Sequence, residues 1–189
     1  MNIIEKHRTL FCSPPRQATR AIGAFLTRNY GLVGSKGKNS LEHTTHIPEG
    51  KEGYDIIMTV RNPYFRYLST WSWQNNLYEN KRVKKPTSQV VLKSLFHLSN
   101  WGDLPDKVSY WVRTECIGED LLKVPFIQND YQKGKIDPEA EFATNFYKST
   151  YDPIWIEDLN ENASLIYENQ KWIFDKFGYD KDSYKLILE

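Results

Sequence analysis

The stretch YDIIMTVRNPYFRYLS, residues Tyr54 to Ser69, decides the fold of this chain. Its first eight residues form a nearly continuous apolar run, which is typical of a strand buried in a parallel sheet. Asn62 and Pro63 then suit the N-cap and the first position of a helix, which the sequence continues over Tyr64–Asn76. The stretch therefore predicts a strand, a tight loop and a helix in succession.

A similar unit comes earlier in the chain. Arg8–Ser13 (RTLFCS) is a short apolar run that stops at two prolines. Ala18–Tyr30 then spaces its apolar residues as a helix does, and Gly31 is a suitable C-terminal stop. A short strand is also possible at Leu32-Val33. The sequence thus predicts two strand–loop–helix units.

The rest of the chain continues the alternation of strands and helices. The further predictions are a helix over Thr87–Ser99, a strand over Tyr110–Arg113, a helix over Glu115–Leu122, a loop over Gln128–Ala140 and a helix over Glu161–Phe177. The predicted buried faces include Val90, Val91, Leu95 and Leu98 of the first of these helices, and Leu165, Ile166, Ile173 and Phe177 of the last. This pattern predicts an α/β single domain with a central parallel β-sheet flanked by helices. Ligands of such sheets lie beyond the carboxyl ends of the strands.

Composition limits the classes of protein to which this chain can belong. A chain of 189 residues with 40% hydrophobic and 14% aromatic residues is expected to fold. The net charge of +1 provides no global field for nucleic acid, so no nucleic-acid partner is predicted. Cys12 and Cys116 make no disulfide framework, and no secretion signal or spanning apolar run is visible. The expectation is a cytoplasmic protein with no membrane span, and its oligomeric state is left open.

The first loop, SPPRQATR at Ser13–Arg20, suits an anion. A loop that opens a helix offers unpaired backbone N–H groups and the positive end of the helix dipole. Arg16, Thr19 and Arg20 add cationic and hydroxyl donors suited to a phosphate or sulfonate. A Walker A sequence is absent, which disfavours a P-loop NTPase. An ordinary exposed loop with two solvated arginines is the alternative.

The second loop carries the stronger signal. Arg61 follows the predicted buried strand, and Ser69 lies about two turns into the next helix. An arginine and a hydroxyl so placed could hold one phosphate from two sides. The alternative is a plain strand–helix turn in which Asn62 and Pro63 cap the helix and Arg66 is solvated.

Together the two loops resemble the sulfotransferases that use 3′-phosphoadenosine 5′-phosphosulfate (PAPS). Trp111–Leu122 and Phe177–Asp180 resemble the later parts of small bacterial and phage-encoded proteins of that type. The family motif V-R-[DN]-P-x-x-R-x-x-S is matched completely by Val60, Arg61, Asn62, Pro63, Arg66 and Ser69. The family's phosphosulfate loop, P-K/R-T-G-T/S, is matched by Pro15, Arg16 and Thr19. Gln17 and Ala18 depart from it, because threonine and glycine are usual there. The resemblance implies a P-loop-like sulfotransferase fold.

The resemblance also implies residue roles. Arg61 and Ser69 would bind the 3′-phosphate of PAPS, Thr19 the 5′-phosphate, and Arg16 the transferring sulfonate. The remaining cofactor-binding candidates are Gln17, Ala18 and Arg20 in the first loop, and Lys133 in a segment where the family often closes over the cofactor.

Sulfonate transfer proceeds by in-line attack of an acceptor hydroxyl and needs a base. His46 and His43 are the first candidates, with Glu42 or Glu49 as the fallback. No metal is predicted, because the cysteine and histidine spacings do not suit one. The acceptor is a hydroxyl-bearing molecule such as a glycan or a small metabolite, and the sequence does not identify it.

Two other functions remain open. One is a binding protein that keeps the nucleotide site but has lost transfer, as Gln17 and Ala18 suggest. The other is a nucleotide kinase of related architecture, which the missing Walker A lysine–hydroxyl pair disfavours.

Overall fold

A computed structural model describes residues 1–34, 46–97, 101–143 and 151–187. Within these residues the chain forms five strands and seven α-helices. The strands are Asn2–Ile4 (β1), Thr9–Cys12 (β2), Val33–Gly34 (β3), Asp55–Val60 (β4) and Tyr110–Arg113 (β5). The helices are Thr19–Tyr30 (α1), Pro63–Glu79 (α2), Ser88–His97 (α3), Ile117–Leu121 (α4), Pro125–Gln132 (α5), Pro138–Phe142 (α6) and Pro153–Phe177 (α7). The chain is therefore an α/β protein, as the sequence predicts.

The five strands form one mixed sheet in the order β3-β1-β2-β4-β5. Strands β2, β4 and β5 run parallel, so their carboxyl ends lie at the same edge. Strand β1 is antiparallel to both of its neighbours, and the prediction of a wholly parallel sheet is wrong at this side. The reason is the connection between β1 and β2, a single 3₁₀ turn at Glu5–His7, which is too short for a parallel crossover.

The chain divides into two compact units. The first takes in Met1–Val60 and Trp101–Tyr147 and contains the sheet with α1, α4, α5 and α6. The second takes in Arg61–Asn100 and Lys148–Glu189 and contains α2, α3 and α7. The division falls directly after β4, and the prediction of one domain stays a prediction.

The first unit has a core that joins the sheet to its helices. Ile22, Phe25 and Leu26 of α1 are fully buried, and they belong to the same apolar cluster as Phe11 of β2 and Ile57 of β4. Burial of each such side chain stabilises the fold by roughly 1.5–3 kcal/mol. This packing fixes α1, and with it the loop that precedes α1, against the parallel strands.

The second unit is a helical cluster held partly by one carboxylate. Tyr67, Val91 and Ile166, from α2, α3 and α7 respectively, are buried in one apolar core. Asp158 of α7 accepts hydrogen bonds from the Tyr67 hydroxyl, from Trp71 Nε1 at 2.8 Å and from the Ser88 hydroxyl. One side chain thus joins all three helices.

Three sequence predictions about the helices are wrong. The loop expected over Gln128–Ala140 is largely helical, because proline at the first position starts both α5 and α6 and the Asp137 side chain caps α6. The last helix begins at Pro153 rather than Glu161, because Asp152 accepts a hydrogen bond from the Ile154 N–H. Val90 and Leu165, expected inside, are 45% and 46% exposed, since the residues beside them, Val91 and Ile166, face the core.

The remaining predicted elements are confirmed with small shifts of their ends. Leu98, expected in the buried face of α3, lies outside the described residues. No helix in the described part of the chain is long and apolar enough to cross a membrane.

Candidate functional site

The loop after β2 is held by a buried chain of hydroxyl groups. Ser13 Oγ lies 2.7 Å from Thr19 Oγ1 and 2.6 Å from Thr59 Oγ1. Thr59 Oγ1 also donates a hydrogen bond to Gln17 Oε1 at 3.3 Å. Thr59 belongs to β4, the neighbour of β2 in the sheet, so these bonds fasten the loop to the carboxyl-end edge of the parallel strands.

The backbone of this loop takes a conformation that glycine favours. Arg16 has φ 68° and Ala18 has φ 55°, both in the left-handed region. Such a conformation costs a residue with a Cβ atom roughly 1–2 kcal/mol. Ala18 stands where the sulfotransferase motif that this loop resembles has glycine, and its φ lies in the region that glycine favours.

Helix α1 begins with its backbone N–H groups uncapped by a side chain. Its N-cap, Ala18, offers no side-chain hydrogen bond, and the first turn contains no acidic residue. Instead Arg20 is exposed in the first turn, and Arg16 is partly exposed just before it. A cation near the positive end of a helix dipole is unfavourable unless an anion is bound there, and uncapped backbone N–H groups bind anions. This end of α1 is therefore suited to a phosphate or sulfonate.

The other two polar side chains of the loop face inward. Gln17 is fully buried, and its Nε2 has no hydrogen-bond partner among the described residues. Thr19 is only 6% exposed, and its hydroxyl lies in the buried chain with Ser13. Residues 17 to 19 can therefore meet a ligand through backbone N–H groups, while Arg16 and Arg20 can reach it with side chains.

The segment after β4 starts α2 as its sequence predicts. Asn62 accepts a hydrogen bond from the Tyr64 N–H at 2.9 Å, and Pro63 takes the first helical position. Asn62 Nδ2 also donates to Ser183 Oγ at 3.0 Å, which fixes the cap within the second unit. The predicted capping role of Asn62 and Pro63 is confirmed.

Two arginines lie at the start of α2, Arg61 two residues before the helix and Arg66 in its first turn. Arg66 is 1% exposed, which contradicts the alternative of a solvated side chain, and Ser69 is 8% exposed one turn later on the same side of the helix. Burial, and secondarily repulsion from Arg61, lowers the pKa of Arg66 to about 9. Arg61 itself is partly exposed, and the first turn of α2 holds no acidic residue. Arginine side chains are suited to bind a phosphate or sulfonate, and these two lie close enough together for their charges to interact.

The candidate bases are only partly described. His43 and Glu42 lie outside the described residues. His46 and Glu49 are exposed in the stretch that leads to β4. Lys133 is exposed at the C-cap of α5, in the first unit.

One further arginine is not among the site candidates that the sequence indicates. Arg113 ends β5, and its Nε and Nη2 donate to the two oxygens of Asp120 at 2.8 and 2.9 Å. Burial raises the pKa of Asp120, but hydrogen bonds from Arg113 and Lys123 together lower it below its ordinary value. Arg113 is thus already paired with a buried carboxylate. The signal that could have found it is an arginine directly after an apolar strand, as at Arg61.

Among the described residues, no three histidine, cysteine, aspartate or glutamate side chains are grouped so that they could hold a metal ion. No family model matches the chain, and comparison with curated proteins and with solved structures gives no significant match.

Proposed function

We propose that this chain binds PAPS and transfers its sulfonate group to an acceptor hydroxyl. The observation that carries the proposal is the complete V-R-N-P-x-x-R-x-x-S motif, Val60–Ser69, whose Arg66 and Ser69 are buried in the first half of α2. Two arginines and a hydroxyl within one short segment are the donors that a phosphate site uses.

In this proposal Arg61 and Ser69 bind the 3′-phosphate. Arg66, buried one turn before Ser69, adds positive charge from within the helix. Two features support an anion here: the repulsion between Arg61 and Arg66, and the absence of an acidic residue from the first turn of α2. A doubly charged phosphate stabilises both arginines.

The first loop would bind the 5′-phosphosulfate. The uncapped start of α1 offers backbone N–H groups, with Thr19 at its first position, and Arg16 and Arg20 supply the cations. The left-handed turn at Arg16 and Ala18 supports this role, because it keeps the glycine-type conformation of the family loop. Gln17, buried against Thr59, fixes the loop from inside.

The transfer step is an in-line displacement. The acceptor oxygen forms a bond to sulfur while the bond from sulfur to the 5′-phosphate oxygen breaks, and the electron pair of that bond stays on the phosphate. Arg16 stabilises the charge on the sulfonate and on the leaving oxygen. A base, His46 or His43, takes the acceptor proton, with Glu42 or Glu49 as the fallback.

A protein that binds the nucleotide without transferring sulfonate is the second candidate. It is favoured by Gln17, whose burial removes the side-chain donor that threonine supplies in the family loop. The two candidate functions predict the same binding of the nucleotide and differ only in whether sulfonate is transferred.

Two measurements test the proposal. Calorimetry should show that the chain binds 3′-phosphoadenosine 5′-phosphate (PAP), the product of transfer, more tightly than ATP; tighter binding of ATP would favour a kinase. Transfer of labelled sulfonate from PAPS to a panel of glycans and small alcohols should then yield labelled product. A preparation that binds PAP fully but transfers sulfonate to none of the acceptors would favour the second candidate.

A further inference from the structure

Positive charge is unevenly distributed along the chain. Residues 61–100 contain seven lysines and arginines but a single acidic residue, Glu79, although the whole chain has a net charge of only +1. Four of the seven cations fall within five residues, KRVKK at Lys81–Lys85, which we call the basic segment.

The basic segment is an exposed turn between α2 and α3. Lys81 has φ 56°, and its N–H donates to the Tyr78 carbonyl at 2.8 Å. The Arg82 N–H donates to the Leu77 carbonyl at 2.9 Å, so the chain reverses at the end of α2 and the five side chains are directed outward. All five residues are exposed, and Pro86, which follows them, is buried. The backbone therefore holds this turn in place at both ends.

The cations of the basic segment are not neutralised from within. Several exposed lysines elsewhere in the chain are paired with carboxylates, such as Lys107 with Asp103 and Lys171 with Asp175. Lys81, Arg82, Lys84 and Lys85 form no ion pair with any carboxylate in the described parts of the chain. The neighbouring Glu79 instead accepts a hydrogen bond from Asn75 at 2.7 Å. Four such charges on one turn attract a ligand with several negative charges.

Apolar surface lies among these charges. Tyr78 is 41% exposed and Val83 is 40% exposed. An exposed tyrosine offers a flat apolar face with a polar tip, against which a sugar ring can pack. The surface thus combines repeated positive charge with a site for ring contact.

We propose that the basic segment, together with Tyr78, binds an acidic polysaccharide that serves as the sulfonate acceptor. This inference rests on the proposed function, because the acceptor must carry free hydroxyl groups. An acidic polysaccharide carries both free hydroxyls and regularly spaced carboxylates. Duplex DNA has comparable charge without internal free hydroxyls, and the charges of an anionic membrane lie on a plane rather than along one chain.

The test compares two fourfold variants of the full chain. In the first, Lys81, Arg82, Lys84 and Lys85 are each replaced by Gln. In the matched control, Lys107, Lys135, Lys171 and Lys185 are replaced by Gln, which changes the net charge equally but removes cations already paired with carboxylates. Binding is measured to polygalacturonate and hyaluronate, with dextran as the neutral polymer.

We expect wild type and the control to bind both acidic polymers, and the basic-segment variant to bind at least about tenfold more weakly. The wild-type affinity should fall as salt rises from low to physiological concentration, and dextran should not bind. Equal losses in the two variants, or no binding of either acidic polymer by wild type, would overturn the inference. So would tighter binding of duplex DNA or of phosphatidylserine vesicles at the same salt concentration.

PAP binding by the same proteins separates this inference from the proposed function. The basic-segment variant should bind PAP as wild type does, since none of its four positions belongs to the motif. Wild type that binds PAP but neither acidic polymer contradicts the acceptor inference alone. Wild type that binds the polymers but not PAP contradicts the proposed function, and with it the acceptor role of this surface.

Discussion

Ala18 has a backbone conformation in the first loop that is unfavourable for a residue with a Cβ atom. Its φ of 55° places a methyl group where the family motif has none, while Arg16 two residues earlier also has positive φ. Glycine at this position would relieve the strain in the folded chain. The free energy gained in this way exceeds the cost of the greater conformational freedom that glycine has in the unfolded chain. The loop is therefore held in its turn by its surroundings, chiefly the buried hydroxyls of Ser13 and Thr59.

We expect Ala18→Gly to raise the free energy of unfolding by about 0.5–1 kcal/mol. Urea unfolding would measure the change. The matched control is Ala24→Gly, an exposed position within α1 that should lower the free energy of unfolding by about 1 kcal/mol. Destabilisation of equal size by both substitutions would contradict the strained turn.

The two cysteines should differ in reactivity. Burial raises the pKa of the Cys12 thiol to about 12, so almost no thiolate is present at neutral pH. Burial also raises the pKa of Cys116, but that residue is only half-buried. Iodoacetamide should modify Cys116 of the folded protein first, and Cys12 only after unfolding in urea. Mass spectrometry of the labelled peptides would show the order, and equal labelling of the two in the folded chain would contradict it.

At the scale of elements, the contact between β5 and α4 depends on one carboxylate. Asp120 accepts hydrogen bonds from the backbone N–H and the guanidinium of Arg113 and from Lys123, and its side chain is 2% exposed. Because Arg113 is partly exposed, the pair contributes less than a fully buried one.

Asp120→Asn should therefore destabilise the protein by roughly 2–3 kcal/mol, measured by urea unfolding. The folded pKa of Asp120 lies below its unfolded value, so its contribution is present above the unfolded pKa and is lost as pH falls through the folded pKa. The difference between wild type and Asp120→Asn should thus shrink on acidification below about pH 4. Asp106→Asn, at an exposed position, is the control and should change stability little.

At the scale of the whole molecule, the sequence predicts the three parallel strands and a short strand at the position of β3, but it does not predict β1. Residues 54–61 have the nearly continuous apolar pattern of a buried strand, and β4 forms within them. Strand β1 has only three residues, too few for a periodic signal. The helices α5 and α6 look polar because each is short and buries one or two side chains, such as Ile127 and Pro138.

Sequence predicts those parts of the candidate site in which a residue's role depends only on its neighbours along the chain. Asn62 and Pro63 cap α2 as their sequence indicates. The inward position of Gln17 and the burial of Arg66 were not predictable, because they depend on Thr59 and on packing around α2, which local sequence does not encode. The pairing of Arg113 with Asp120 joins residues seven positions apart across a turn, which no motif signals.

The proposed function depends most directly on recognition of the 3′-phosphate of the nucleotide by Arg61. PAP and AMP share the adenosine and the 5′-phosphate and differ only in the 3′-phosphate, so calorimetry of both ligands isolates that group. The variant is Arg61→Ala, and the control is Arg28→Ala, which removes an exposed arginine paired with Glu141.

Wild type and Arg28→Ala should bind PAP at least about tenfold more tightly than AMP, as expected for a charged hydrogen bond to phosphate. Arg61→Ala should lose most of that preference while its affinity for AMP stays within about twofold of wild type. Binding of PAP by Arg61→Ala with the affinity of wild type would contradict the account.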